Sequence, residues 1–342
     1  MPLPDPIDLL QEFIALPGPP GSEGPIREAV ARHVASLGLD SEADAKGNLI
    51  VRLGDHPRVV VTAHLDEIAL MVRAVESDGR VVVAPMGGIF PWKLGEIPVR
   101  FLLPGGATLD GVLSFGSIHT ESALSDAAKA KTAALTWPMT RVLTGRSAEE
   151  LAEAGVRPGT RVVIHPAWRG LVRLGPLVAG RFLDDRADLV AWLLALERLG
   201  PERRDVAFAA TAAEEVGGEG ATWFLRQSPA EVCVALELSP NVPDAPVAID
   251  ERIGIWTTDG YSSMSADDGE LVAAVADELG QSLQWQALSR GGSDASCAAS
   301  KGFCARPITL GLPMDNSHGF ETMHPAAMAR LGELTAALVR RL

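Results

Sequence analysis

Apolar residues recur at three- and four-residue intervals across residues 6–38, with one break rich in proline and glycine at residues 17–24. This period is typical of amphipathic helices, and the break separates two of them. Continuous apolar runs follow, and their length and β-branched content indicate buried strands. The predicted strands in this part of the chain are residues 48–52, 59–64 and 68–75.

The pattern changes between residues 74 and 172, where short apolar runs alternate with glycine, proline and aspartate turns. One helix stands out here, from Ser147 to Ala154, because Ser147 lies three residues before Glu150 as in a capping box. The remainder reads as strands. We therefore expect residues 74–172 to form a small β-rich domain inserted into a larger one.

After Gly180 helical and strand patterns alternate regularly. Such alternation favours an α/β fold with a mostly parallel sheet covered by helices on both faces. Residues 1–73 and 173–342 would together build this domain. The predicted helices are 187–199, 220–227, 271–279, 294–300 and one from about 325, and the predicted strands are 206–211, 232–238, 283–288 and 307–312.

Composition argues against some classes of partner and location but does not identify the function. The 342 residues include 44 Asp and Glu against 30 Lys and Arg, and no basic cluster stands out, which argues against a nucleic-acid partner. The three cysteines are scattered and make a poor disulfide framework. No apolar run reaches the ~20 residues of a membrane span, and the first residues lack the pattern of a signal peptide. We expect a cytoplasmic protein.

Candidate chemistry collects where the predicted strands end, which is where α/β sheets place their active sites. The carboxyl ends of strands and the turns beside them carry an acid or a histidine at five places: His64 with Asp66, Asp184 with Asp185, Glu214 with Glu215, Glu237, and His318.

Each of these signals has an ordinary structural explanation when taken alone. His64 could end a strand in a polar turn, and one aspartate of the pair 184 and 185 could cap a helix. The cap explains the pair less well, and Arg186 could neutralise Asp185 and leave Asp184 free. Two adjacent acids such as Glu214 and Glu215 are costly to bury, however, unless a cation lies beside them. Together the five places favour a site for two metal ions, in which imidazole and carboxylate ligands suit zinc, or cobalt or manganese, and a spare acid acts as general base.

The order and spacing of these motifs resemble one family along nearly the whole chain. The matching segments are His64-x-Asp66-Glu67, Asp184-Asp-Arg186, Glu214-Glu-Val-Gly217, Gly291-Gly-Ser-Asp294 and His318-x-x-Glu321. They are similar to those of the tetrahedral (TET) metallo-aminopeptidases, which include glutamyl and deblocking aminopeptidases. The resemblance implies a zinc-exopeptidase-like fold and removal of N-terminal residues from peptides.

The resemblance also implies a set of metal ligands. Asp184 would bridge the two metals, His64 and Glu237 would complete one site, and Glu215 and His318 would complete the other. One of these residues departs from the family, which usually has aspartate where this chain has Glu237. Glutamate is found there in related two-zinc carboxypeptidases and N-acyl amino-acid deacylases, which remain the alternative function.

Two further roles and an assembly follow from the same resemblance. Asp66 would orient His64, and Glu214 would accept a proton from a metal-bridging water and deliver it to the leaving amine. Gly291–Asp294 would form a turn near the site, and the inserted domain would mediate dimerisation, with six dimers forming a hollow tetrahedral dodecamer that admits peptides. The chain also departs from the family near the substrate, with Ala69 and Asp188 in place of glycines and Asp315-Asn-Ser317 in place of the usual Arg-Tyr.

Two other classes fit the sequence less well. Paired carboxylates also serve glycoside hydrolysis, but the neighbours Glu214 and Glu215 cannot easily flank a glycosidic bond at the ~5–9 Å separation that this chemistry needs. A scaffold protein that kept the fold without activity would be expected to have lost a ligand, whereas the set here is complete.

Overall fold

The computed structural model describes residues 2–200 and 205–342, which divide into two compact units. One unit joins Met1–Glu67 to Gly170–Leu342, and the other is Ile68–Arg169. The first boundary lies six residues before the 73/74 boundary expected from the sequence, because the strand that starts at Ala69 pairs only with strands of the second unit. The second boundary, expected at 172/173, lies at 169/170.

The helices and strands of the described residues are numbered in chain order. The α-helices are α1 Pro6–Ala15, α2 Gly24–Ser36, α3 Pro91–Leu94, α4 Asp126–Lys129, α5 Ala148–Glu153, α6 Leu183–Leu199, α7 Glu219–Gln227, α8 Ala266–Glu278, α9 Asp294–Ser300 and α10 Ala326–Arg341. The strands are β1 Glu42–Ala43, β2 Leu49–Arg52, β3 Val59–His64, β4 Ala69–Val75, β5 Val81–Met86, β6 Pro98–Leu102, β7 Thr108–Ser114, β8 Arg141–Leu143, β9 Arg161–Ile164, β10 Val172–Leu174, β11 Leu177–Gly180, β12 Val206–Thr211, β13 Ala230–Pro240, β14 Ile253–Thr258, β15 Leu283–Ala287, β16 Cys304–Asp315 and β17 Glu321–Met323.

The larger unit is built on one mixed sheet in the order β1-β2-β12-β3-β13-β16-β17-β11-β10, with β14 and β15 attached beside β16. Its four central strands, β12, β3, β13 and β16, run parallel to one another. The strands β2, β14 and β17 pair antiparallel with this centre, whereas β15 pairs parallel with β14. The α/β fold expected from the sequence is confirmed, and the parallel centre aligns four strand ends along one edge.

Helices cover both faces of this sheet, as the alternation of side chains along β3 shows. Val59 and Val61 belong to a large apolar core with helices α1, α2, α6 and α10, whereas Val60 faces a smaller core with α7 and α9. Alternate residues of a strand point to opposite faces, so a fully buried strand needs apolar residues at nearly every position. This is why β3 reads as a continuous apolar run.

The smaller unit is a closed barrel in which β4, β5, β8, β7, β6 and β9 follow one another around the ring. Closure leaves no free sheet edge, which suits a module of short strands. The capping box expected at Ser147 is confirmed: its hydroxyl accepts a hydrogen bond from the Glu150 backbone at 3.2 Å, and Glu150 accepts one from the Ser147 backbone at 2.8 Å.

Two features of the larger unit were not expected from the sequence. Strand β14 is as long as β3, but only its first four residues are buried, and β10, β11 and β17 have three or four residues each. Their apolar patterns are too brief to stand out.

Among the described helices, none combines the length and apolarity that crossing a bilayer would require.

Candidate metal centre

The candidate site lies at the carboxyl ends of the four central strands. His64 is the last residue of β3, and the register places it opposite Thr211, the last residue of β12. Glu214 and Glu215 follow in the next turn. Glu237 lies near the end of β13 and His318 three residues beyond β16. Because adjacent parallel strands end at the same edge, residues separated by more than 250 positions meet there.

The structure brings the five predicted ligands together in two groups. The first contains His64, Asp184 and Glu237, together with Asp185, and the second contains Asp184, Glu215 and His318. Within each group one candidate ligand atom per residue lies within 4.8 Å of the others, and Asp184 belongs to both. A buried cluster of imidazole and carboxylate groups with this spacing fits a metal site.

The two oxygens of Asp184 point to different histidines. Its Oδ1 lies 3.1 Å from His64 Nε2, and its Oδ2 lies 3.2 Å from His318 Nε2. The His318 ring also lies 3.6 Å from Glu215 Oε2. The other oxygen of that carboxylate, Glu215 Oε1, is buried and has no hydrogen-bond partner among the described residues. An acceptor left in this state fits a cation as its partner.

Asp66 lies beside His64, but its contacts differ from those expected. The ring Nδ1 of His64 lies 3.0 Å from the backbone carbonyl oxygen of Asp66 and 3.5 Å from the carboxylate Oδ1. A carbonyl oxygen only accepts, so Nδ1 carries the proton and Nε2 is left to bind a metal. The carboxylate of Asp66 instead accepts hydrogen bonds from the backbones of Glu214, at 2.8 Å, and Glu215, at 3.1 Å.

The neutralisation of Asp185 by Arg186, considered from the sequence, is wrong. Arg186 makes its ion pair with Glu67 at 2.9 Å, and both side chains are fully buried. Asp185 accepts a hydrogen bond from the His64 backbone at 2.6 Å, and burial raises the pKa of the nearby Asp188 to about 8. Below that pH Asp188 is mostly protonated and neutral, so it adds little negative charge beside Asp185.

Backbone geometry around the site is strained. In the described ranges, the non-glycine residues with positive φ are Phe182, Ala213, Asn316 and His318. Each is a candidate ligand or lies within two residues of one. Such conformations persist only where the surrounding contacts hold them, and they are common at functional sites.

Burial and neighbouring charges act against each other in this cluster. Burial alone would raise the pKa of Asp184, but hydrogen bonds from His318 and His64 outweigh it and hold that pKa below its usual range. Burial raises the pKa of Glu215 to about 7 and that of Glu237 well above its ordinary value. Acids that resist ionisation for this reason become ligands when a divalent cation replaces the missing positive charge.

Glu237 lies in the cluster at the position where the resemblance implies an aspartate, whose side chain is one methylene shorter. Its Oε1 accepts a hydrogen bond from the backbone of Leu238 at 2.9 Å, which turns the side chain back on the strand. The carboxyl group still lies within the first ligand group. The substitution therefore preserves the candidate ligand.

Asp294 is the first residue of helix α9 and the last of Gly291–Asp294, the segment expected near the site. Its Oδ2 accepts a hydrogen bond from the Thr211 hydroxyl at 2.6 Å, which ties the helix to the end of β12. The negative charge of Asp294 is among the causes, after burial, that raise the pKa of Glu214. The segment therefore contacts the strand from which the Glu214 turn departs.

Comparison with known proteins gives a consistent result at the level of sequence. A protein-family model described as M42 glutamyl aminopeptidase matches residues 47–334. The lysyl aminopeptidase of Pyrococcus furiosus is 32% identical over 235 residues, which cover 68% of this chain and 66% of that protein. The glutamyl aminopeptidase of Lactococcus lactis is 26% identical, with 64% and 62% covered. The chain thus matches just under two thirds of the length of these relatives.

Solved structures extend the similarity to the whole fold. The TET1 peptidase of Pyrococcus horikoshii, described as assembling into a tetrahedron or a large octahedral shell, has a TM-score of 0.85 at 28% identity and covers 98% of this chain and 99% of its own. Aminopeptidase APDkam598 of Desulfurococcus kamchatkensis has a TM-score of 0.85 at 25% identity, covering 98% of this chain and 95% of its own.

Proposed function

The chain belongs to the M42 glutamyl aminopeptidase family, and on that premise we propose that it is a metallo-aminopeptidase that removes N-terminal residues from peptides at a two-metal centre. The observation that carries the proposal is the position of Asp184, which belongs to both groups of candidate ligands and faces one histidine with each oxygen. A carboxylate shared in this way is what a two-metal site requires.

The ligand assignment follows the two groups. His64, Asp184 and Glu237 would hold one ion, and Asp184, Glu215 and His318 the other. Neither group contains a cysteine, and imidazole with carboxylate suits zinc, with cobalt and manganese as the other candidates. Bound ions would polarise the scissile carbonyl and lower the pKa of the attacking water.

The chain's own residues then carry the proton transfer. Glu214 is the acid of the turn that belongs to neither ligand group, and burial raises the pKa of its carboxyl group well above the ordinary value. A general base works best when its pKa lies near the working pH. Glu214 would accept the proton of the attacking water and pass it to the leaving amine nitrogen, while Asp66 holds its backbone in place.

An activity panel tests which class of substrate the enzyme cleaves. The metal-loaded wild type should hydrolyse aminoacyl-amides and short peptides with a free N-terminus, and Glu214→Gln should lower kcat by about 10²–10⁴-fold while metal content is retained. Glu237 favours the two-zinc carboxypeptidases and N-acyl amino-acid deacylases as the second candidate. Cleavage of N-acyl amino acids alone would decide for them and against an aminopeptidase.

A homo-oligomer is part of the proposal, with the barrel unit Ile68–Arg169 as the dimerisation domain and a tetrahedral dodecamer as the expected assembly. Large apolar side chains are exposed on this unit, including Phe90, Trp92, Leu124 and Trp168. Apolar groups of this size are commonly covered by a partner. Light scattering coupled to gel filtration tests the assembly: a mass near twelve chains supports it, and a monomer excludes it.

A cytoplasmic location completes the proposal. Cys233, Cys297 and Cys304 are buried free thiols, which fits a reducing compartment. Fractionation of the source cells, followed by immunoblotting, would test this.

A further inference from the structure

The turn that carries Glu214 and Glu215 is held by side chains from distant parts of the chain. The backbone N–H of Ala212 donates to Asn48 Oδ1 at 2.8 Å. The N–H groups of Glu214 and Glu215 donate to the two oxygens of Asp66. Three of four consecutive amides therefore reach side-chain acceptors rather than the usual backbone partners.

The remaining amide belongs to Ala213, which has a φ of 55°. The carboxyl group of Glu23 lies near this amide and accepts a hydrogen bond from the Gly21 backbone at 2.8 Å. The side chain of Glu23 is buried, with 4% of its surface exposed. An alanine in the left-handed region costs roughly 1 kcal/mol or more, so this conformation needs such contacts to persist.

The side chain of Asn48 forms more hydrogen bonds than that of Glu23. It is fully buried, and its amide nitrogen donates to Asp44 Oδ2 at 2.7 Å and to the Gly220 carbonyl at 3.0 Å. Asn48 thereby ties the start of β2 to both ends of the segment between β12 and α7. A side chain at Gly220 would lie 2.3 Å from the Ala212 carbonyl oxygen and 2.4 Å from Asn48 Oδ1, so only glycine leaves room for the contact.

We propose that Asn48 is a positioning residue for the reaction, because it holds the amide of Ala212 and so fixes where Glu214 places its carboxyl group, and that the buried Glu23 near Ala213 supports the same turn. This inference rests on the proposed function. A base must lie within hydrogen-bond reach of the proton it accepts, and small displacements of a catalytic group cost up to about 10²-fold in rate. Loss of residues that support a metal site typically costs about 10–100-fold in activity.

The test compares two kinds of variant with a control in the same unit. Glu23→Ala and Asn48→Leu remove the side-chain oxygens, whereas Glu23→Gln keeps an oxygen at the same position. Asp268→Ala is the control. Asp268 lies near the start of α8, is similarly buried and accepts a hydrogen bond from Arg306 of β16, so its loss destabilises the unit without touching the turn. Hydrogen–deuterium exchange of the peptide spanning residues 212–216 is measured beside kcat, KM and bound metal.

Glu23→Ala and Asn48→Leu should speed exchange of these amides and lower kcat by about 10–100-fold, with KM and metal content changed less than threefold. Glu23→Gln should keep both the exchange rate and kcat close to the wild-type values. Asp268→Ala should lower thermal stability and leave kcat unchanged. Unaltered exchange in both removal variants would overturn the inference, as would faster exchange with an unaltered kcat. A wild type without peptidase activity would refute the proposed function instead, and the exchange measurement would still decide whether the contacts exist.

Discussion

Replacement of Arg186 by methionine should destabilise the larger unit and the metal site together. The guanidinium group is fully buried, pairs with the equally buried Glu67 at 2.9 Å, and donates to the backbone carbonyls of Leu65 and Leu16. These contacts join the segment after β3, which follows His64, to the start of α6, which carries Asp184. Methionine fills a similar volume but removes the charge and every donor.

The expected loss of stability comes from Glu67, whose carboxylate would stay buried without its partner. Removing one partner of a buried ion pair leaves the other charge uncompensated and costs about 3–5 kcal/mol, a large share of the 5–15 kcal/mol by which domains are usually stable. Replacing both Arg186 and Glu67 by apolar residues removes both charges, and such exchanges are often close to neutral. The double variant Arg186→Met/Glu67→Leu should therefore regain much of what Arg186→Met loses.

Urea unfolding followed by tryptophan fluorescence measures the free energy of unfolding. Metal titration of the folded variants measures the metal affinity of the candidate site. The exposed pair Arg341–Glu278, 2.7 Å apart, provides the control, since Arg341→Met should cost at most about 1 kcal/mol. A loss below about 1 kcal/mol for Arg186→Met, or a double variant less stable than the single one, would refute the reasoning.

The remaining predictions concern the metals and the turn. Asp184→Asn should abolish binding of both ions, whereas His318→Ala should leave one, as metal analysis after dialysis would show; equal losses would contradict the sharing of Asp184. In the metal-free protein, burial raises the pKa of Glu215 to about 7 from 4.5, so its contribution to stability is complete below pH 4.5 and is lost as the pH rises through 7. The melting temperature should therefore fall over this range without metal and stay level with saturating zinc; a fall of equal size with zinc would contradict this. Gly220→Ala should lower the melting temperature, because the added carbon would lie 2.3 Å from the Ala212 carbonyl oxygen; an unchanged value would show that the backbone adjusts freely.

Much of the fold could be predicted because its signals are local. The run Val59–His64 has the apolar length of a buried strand, and the capping box at Ser147 marks its helix by spacing alone. The candidate ligands His64, Glu215 and His318 could be found for the same reason, since each lies at the end of an apolar run or within a few residues of it. Strand ends and the residues after them are readable before the sheet order is known.

The contacts that support the site could not be predicted, because they join residues far apart in the chain. Asn48 binds the Ala212 amide across 164 positions, and nothing near Asn48 in sequence indicates that partner. Arg186 follows two aspartates but pairs with Glu67, 119 positions away. The hydrogen bonds of the Asp66 carboxylate to the Glu214 turn could not be predicted either, because the nearness of Asp66 to His64 in sequence indicates only a contact with that histidine.

The most direct test of the two-metal centre is anomalous X-ray scattering from crystals of the zinc-loaded protein, recorded on both sides of the zinc absorption edge. Two peaks per chain are expected, one bounded by His64, Asp184 and Glu237 and the other by Asp184, Glu215 and His318, with the Asp184 carboxylate between them. A single peak beside His64, or no peak at this edge of the sheet under zinc saturation, would contradict the account.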